Sequence, residues 1–304
     1  MNLIYYLCLF ITIIFLLLCK YIYTQRNQNL PPSPFALPIL GHLHLLKKPL
    51  HRTLQSLSLK FGPIFFLKLG FRNVLIVSSP SFVEEIFTKN DIVFANRPNF
   101  LAGKYLGQNY THLGWAPYGD HWRNLRRITS LEIFSSNRII MSASLRREEI
   151  HRFIKQMDAE TEDWKLIEMK SALFDLTVNI MMKILTGKPC YEDEMKSDEK
   201  RLRREFLKDT FVPNMAMNLG DSYQVLRKFG FLGLEKKLVK LQKTRDVFLK
   251  ELIEEGRSRE SDLIEGEEKA RYIDGLLALQ KMDPNYYTDD MLQGLIAVSI
   301  SHSI

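Results

Sequence analysis

Residues 3–19 constrain this chain most: they run Leu-Ile-Tyr-Tyr-Leu-Cys-Leu-Phe-Ile-Thr-Ile-Ile-Phe-Leu-Leu-Leu-Cys, without a charge and with Thr12 as the clearly polar side chain. Such a run is just long enough to span a bilayer, and more so if Tyr21–Tyr23 join it. Tyr5, Tyr6, Tyr21 and Tyr23 flank it as interfacial aromatics do. A cleaved signal peptide would want a basic residue before the run and a small-residue cleavage site after it, and neither is present. The first basic residues, Lys20 and Arg26, follow the run, so residues 1–23 read as an anchor with a luminal N-terminus and a cytoplasmic body. The sequon Asn109-Tyr110-Thr111 should then stay unglycosylated.

Directly after it, residues 24–41 form a Pro-rich hinge. Pro31, Pro32, Pro34 and Pro38 exclude a helix and favour a stiff, extended spacer, or an ordinary linker. The remaining chain, 42–304, is long enough for a sizeable core. It is ordinary in composition, 46% hydrophobic and 25% charged, which excludes a disordered or collagen-like protein. The formal charge of +7 suits an anionic membrane surface or an acidic partner as well as nucleic acid. The basic residues are spread out with no nucleic-acid motif, so no nucleic-acid partner is expected. Cys8, Cys19 and Cys190 are odd in number, and two lie in the apolar run, so a disulfide framework is not expected.

Ile64–Leu69 and Val74–Val77 read as strands separated by a four-residue turn, and Ser79-Pro80 starts a helix. Residues 95–117 read as a long loop. Helices follow from about Asp120 and over roughly 142–157, 170–186, 201–212 and 234–256. Arg257–Arg271 reads as a solvated loop. Thr288 caps a last helix that is apolar nearly all round from Met291 and belongs in a core. The chain ends barely three turns into it, as a truncated chain would.

Searches for phosphate-cradling, nucleophile-elbow and zinc-protease patterns find none. His42, His44 and His51 lack companions at metal-ligand spacing and read as solvated or capping residues. Cys190 follows Gly187-Lys188-Pro189 and reads as an ordinary loop thiol. Trp122 and Arg126, four apart, share a helix face. Both carry only donors, and the guanidinium can grip a carboxylate bidentately. Taken alone, the pair reads better as a buried Trp beside a surface Arg, because Trp-x-x-x-Arg is a short pattern.

In order along the chain stand Gly41-His42-Leu43-His44-Leu45-Leu46, Phe61-Gly62-Pro63-Ile64, Phe94-Ala95-Asn96-Arg97-Pro98 and Ala116-Pro117-Tyr118-Gly119-Asp120-His121-Trp122-Arg123. With the anchor and hinge, these resemble a plant microsomal cytochrome P450, in the group containing isoflavone 2'- and 3'-hydroxylases. The resemblance covers about residues 30–296. It implies a mostly α fold with small β-sheets behind a single transmembrane helix, in the endoplasmic-reticulum membrane. It implies a haem monooxygenase drawing electrons from NADPH through a partner reductase and hydroxylating a small apolar or phenolic metabolite, flavonoid-like.

By the same resemblance, Trp122 and Arg126 hold a haem propionate and Arg97 approaches one. Leu101, Tyr105 and Leu113 in the 99–115 loop, and Phe211, Met215 and Met217 near 208–224, would line the substrate. The family's haem-thiolate loop, its Glu-x-x-Arg pair and its Ala-Gly-x-Asp-Thr segment do not occur in this sequence. No catalytic residue and no axial iron ligand is therefore assigned, and the chain alone is expected to be inactive. The competing expectation is a non-catalytic, membrane-tethered binding or regulatory protein.

Overall fold

The computed structural model describes residues 30–162, 167–192, 195–211, 219–223, 234–262 and 271–303, with Tyr6 and Thr12. The expected anchor thus lies almost wholly outside the described residues, and among these no helix is long and apolar enough to cross a membrane. The chain divides into one unit of residues 1–94 with 217–231 and another of 95–216 with 232–304.

The first unit is built on an antiparallel hairpin, β1 (Ile64–Leu69) and β2 (Arg72–Val77), in register from Ile64↔Val77 to Leu69↔Arg72. The second strand begins at Arg72, so the expected four-residue turn shrinks to Gly70-Phe71. Two-residue connections match the twist of paired strands best. Phe65, Phe66 and Leu67 are all buried, and helix α1 (Leu50–Phe61) packs against β1. Helix α2 (Pro80–Thr88), with Pro80 at its first position, packs on the short α3 (Asp91–Phe94).

The other edge of β1 is covered by the proline segment. Phe66 N–H donates to Pro32 O (2.9 Å) and His42 N–H to Lys68 O (2.6 Å). His42 is 1% exposed, so of the two readings, solvated or capping, the first fails; it stands at the N-cap of the short 3-10 helix Leu43–Leu45, without a side-chain cap bond. Its Nδ1 accepts from Lys68 N–H (2.7 Å) while Nε2 lies 2.9 Å from Pro34 O, a pairing that fits the neutral ring protonated at Nε2. Burial, foremost, lowers its pKa. Residues 219–223 grip the hairpin turn: Phe71 N–H donates to Ser222 O (3.0 Å), and the Tyr223 hydroxyl to Ile39 O (3.2 Å).

The second unit is helical. Its elements are α4 (Leu101–Tyr105), α5 (Asp120–Glu132), α6 (Ser136–Met141), α7 (Ala143–Glu162), α8 (Met169–Thr186) and α9 (Ser197–Phe211). The short α10 (Leu219–Ser222) belongs to the first unit. Then come α11 (Leu234–Asp262), α12 (Tyr272–Met282) and α13 (Asp289–Ser303). Helix α8 packs against α7, α12 and α13, and α11 against α13, α12, α4 and α9.

Helix α13 lies at the centre, with Leu292, Leu295, Ile296, Ala297 and Ile300 each at most 2% exposed. That is the burial an all-round apolar helix requires. Thr288 caps it, its Oγ1 accepting from Met291 N–H (3.4 Å). Two expectations change here. A five-residue helix, α4, interrupts the 95–117 loop. Residues 257–262 continue α11 rather than beginning a loop, because this Arg- and Glu-rich stretch has good helix propensity and Arg257 is anchored to Gln280 Oε1 at 3.0 Å.

Cys190 is 6% exposed, not a surface-loop thiol, and burial pushes its pKa up to about 11. The cause is Asn179 on α8, 5% exposed. Its Oδ1 accepts from Cys190 N–H (2.9 Å) and Tyr191 N–H (2.8 Å), and its Nδ2 donates to Tyr191 O (3.1 Å). Asn179→Ala orphans two amides and a carbonyl, so it should cost about 2–4 kcal/mol. Urea unfolding checks this; a loss below about 0.5 kcal/mol would show the loop holds without the clamp.

Candidate functional site

Helix α5 opens on Asp120, a carboxylate at the positive end of the helix dipole. Its basic residues then divide. Arg123 pairs with Asp120, and Arg127 donates to Asn124 Oδ1 (2.7 Å). Arg126 has no carboxylate partner among the described residues; its guanidinium lies 5.3 Å from the centroid of the Trp122 indole. Arg97, which donates to the backbone oxygen of Ala95 two residues before it, brings a second guanidinium to 5.7 Å from the same ring. Tyr118 completes the cluster at 5.6 Å from the indole.

Each cation–ring contact is weakly favourable at an exposed site, about 0.5–1 kcal/mol. Two un-neutralised guanidiniums around one indole also repel each other, and an anion between them removes that repulsion. The sequence suggested that the indole N–H would serve the same anion. Instead it donates to Leu113 O (3.2 Å), which ties the 99–115 loop to α5. A carboxylate such as a haem propionate therefore fits this donor set through its guanidiniums, with Trp122 as the platform that spaces them.

The substrate-lining candidates do not gather at one place. Leu101 and Tyr105 pack with Leu106 against Leu238 and Leu241 of α11, and the Tyr105 hydroxyl donates to Glu235. Leu113 lies against the main core beside Trp122. Phe211 is buried in that core, edge-on to Phe248 at 5.8 Å. Met215 and Met217 lie outside the described residues. Among the described residues no three His, Cys, Asp or Glu side chains converge as a metal site would require.

A buried polar chain under the 99–115 loop was not anticipated. His112 is 4% exposed and its Nε2 lies 2.9 Å from Gln108 Oε1. The Gln108 amide reaches the side chain of Gln293 on α13 at 3.5 Å, and Gln293 is fully buried. Arg245 of α11, 6% exposed, donates to Leu106 O at 2.5 Å. Burial first, then the Arg245 charge, drives the His112 pKa down to about 3; burial lowers Arg245 to about 10. The loop reaches this arrangement through three successive left-handed residues, Gln108, Asn109 and Tyr110, at φ 43°, 57° and 65°. Gly294 admits the imidazole: a Cβ there would lie 2.4 Å from His112 Cδ2. The signal in the sequence was the pair Gln293-Gly294 inside an otherwise apolar helix.

The helical unit thus gathers, around the Trp122 indole, the guanidiniums of Arg126 on α5 and of Arg97, neither with a carboxylate partner among the described residues, a donor set that suits an anionic group. The cytochrome P450 family model matches residues 31–299, and the chain belongs to that family. It is 44% identical over 275 residues to an isoflavone 2'-hydroxylase of Glycyrrhiza echinata, covering 89% of this chain and 54% of that protein. It is 42% identical over 280 residues to an isoflavone 3'-hydroxylase of Medicago truncatula, with coverages of 90% and 55%. It is 41% identical over 276 residues to a (+)-piperitol/(+)-sesamin synthase of Sesamum radiatum, with coverages of 90% and 53%. The chain thus spans about half the length of the curated relatives it matches. Family membership implies haem as the cofactor of the complete protein.

Proposed function

We propose that this chain serves a haem monooxygenase that hydroxylates a small apolar or phenolic plant metabolite of flavonoid type. The observation that carries the reading is the cluster of Arg126 and Arg97 around Trp122, with no carboxylate among the described residues to neutralise them. In this reading Arg126 and Arg97 hold the haem propionates, and Trp122 fixes the spacing of their guanidiniums. When bound, the haem supplies activation of O2 for insertion of one oxygen atom. The Trp122–Leu113 hydrogen bond would tie the 99–115 loop to the helix that holds the group. Leu113, beside Trp122, is the proposed lining residue at this cluster; Leu101, Tyr105 and Phe211 pack at separate places and Met215 lies outside the described residues, so they are not carried into the proposed substrate path. Cys190, buried and held protonated, is not proposed as an iron ligand.

The same proposal makes residues 1–23 an anchor in the endoplasmic-reticulum membrane with its N-terminus luminal. Residues 24–41 are the hinge, and 42–304 belong to the monooxygenase domain. Electrons would come from NADPH through a membrane-bound reductase, whose acidic docking face would meet the excess of basic residues here.

The test uses the longest natural product that contains this chain, in microsomes. Arg126→Met should lower the haem retained after purification about five-fold or more, since a charge-assisted pair is lost. Arg126→Lys should retain part of it, and Arg123→Met, whose guanidinium serves Asp120, should retain all. Full haem in Arg126→Met would overturn the propionate assignment. A stable product near this chain's 35.6 kDa that takes up no haem would favour the non-catalytic, membrane-tethered reading.

A further inference from the structure

A cavity of about 530 Å³ lies between α8, the 187–190 loop, α9 and α11, and none of the residues assigned above to haem or substrate lines it. Its volume is within the ordinary range for small-molecule sites. The floor is apolar and buried: Met182, Cys190, Leu207 and Leu252 are each at most 8% exposed. Phe206 and Phe248 stand over it edge-to-face, 5.7 Å apart.

The charges around this floor are unequal in their partners. Lys188 pairs with Glu255. Arg203 turns inward and donates to Cys190 O at 2.7 Å. Glu199 and Glu251, both exposed, line the same cavity without a hydrogen-bond or ion-pair partner among the described residues. With Lys188 and Glu255 paired, the single positive charge of Arg203 against the carboxylates of Glu199 and Glu251 leaves the lining with one net negative charge beside an apolar floor and two aromatic rings. A neutral apolar molecule gains nothing from these exposed carboxylates, and an anion would be repelled by them. A molecule with an apolar body and one protonated amine satisfies both halves.

We propose that this cavity is a binding site for lipophilic monoamines, with the apolar body against Phe206 and Phe248 and the ammonium at Glu199 and Glu251. The site requires neither haem nor the monooxygenase reading, so it can be tested without either.

Cys190 in the floor is the reporter. In the full chain carrying Cys8→Ser and Cys19→Ser, the rate of Cys190 modification by methyl methanethiosulfonate is followed in detergent. The raised thiol pKa makes this reaction slow enough to time. Three indoles of similar shape are compared: tryptamine (cation), tryptophol (neutral) and indole-3-propionate (anion). Tryptamine should slow labelling saturably, about five-fold or more. Tryptophol should protect less and indole-3-propionate not at all.

Glu199→Gln with Glu251→Gln, both at exposed positions that should not disturb the fold, should bring tryptamine down to the protection given by tryptophol. Equal protection by all three indoles would overturn the charge selection, and protection by none would overturn the site. Should Cys190 resist the reagent altogether, equilibrium dialysis of tryptamine decides. About one amine bound per chain, lost in Phe206→Ala, supports the site, and no binding in the parent chain overturns it.

Discussion

Acidification from about pH 7.5 to about pH 4.5 should remove about 2–3 kcal/mol of folding stability through His112 alone. The ring is 4% exposed, and burial foremost, with the Arg245 charge second, depresses its folded pKa from 6.5 to about 3. Between those values the unfolded chain binds a proton that the folded chain refuses. The stability is therefore fully present above about pH 6.5 and drains away as pH falls toward about 3. Protonation leaves the His112 Nε2–H to Gln108 Oε1 hydrogen bond in place but adds a buried positive charge near Arg245, in a loop already held left-handed at three residues.

Other groups titrate over this range, so the test is a difference. His112→Gln should be less stable than the parent at neutral pH and lose less on acidification, by about 2–3 kcal/mol across the same interval. Urea unfolding at the two pH values measures it. Equal acid sensitivity in the two proteins would show that His112 is not held neutral by the fold. If Leu113 of the 99–115 loop lines the substrate path, as proposed, the same acidification should weaken substrate binding before the domain unfolds.

What could be read from residues alone were features closed by near neighbours. The hairpin followed from two β-prone runs, α5 from the Trp122–Arg126 spacing, and the central place of α13 from its apolar character and the Thr288 cap. What could not be read depends on partners far along the chain. His42 is buried because Lys68 and Pro34 meet its ring, and no local pattern reports that. Cys190 is buried because Asn179 on another element folds the loop inward. His112 is boxed by Gly294, far along the chain, a close approach visible only once α13 is in place. The donor arithmetic at Trp122 was legible as chemistry but not as geometry. Its N–H turned to a loop carbonyl, and Arg97, which belongs to no helix shared with Trp122, became the second cation on its ring.

Gly41→Ala should be the most damaging single change in the first unit, costing about 3 kcal/mol or more. Gly41 sits at φ +61°, and a Cβ there would lie 2.1 Å from Lys68 O and 2.9 Å from Lys68 C. Both are backbone atoms of β1, so no side chain can swing aside to make room. Relief requires the chain to part from the strand. That breaks the Leu37–Gly41 bridge and the His42–Lys68 hydrogen bonds, and with them the cover on the free edge of β1. His42→Ala leaves the backbone path open and orphans chiefly the Lys68 amide, so its cost should be smaller, about 1–3 kcal/mol. Limited proteolysis separates the two. Residues 30–41 should be cut rapidly in Gly41→Ala, more slowly in His42→Ala and slowest in the parent chain. Resistance of Gly41→Ala equal to the parent's would mean that the proline segment is held by something other than this clamp. The ordering matters for the proposed tether, because prolines stiff in themselves transmit an orientation to the body only while their far end is fixed to β1.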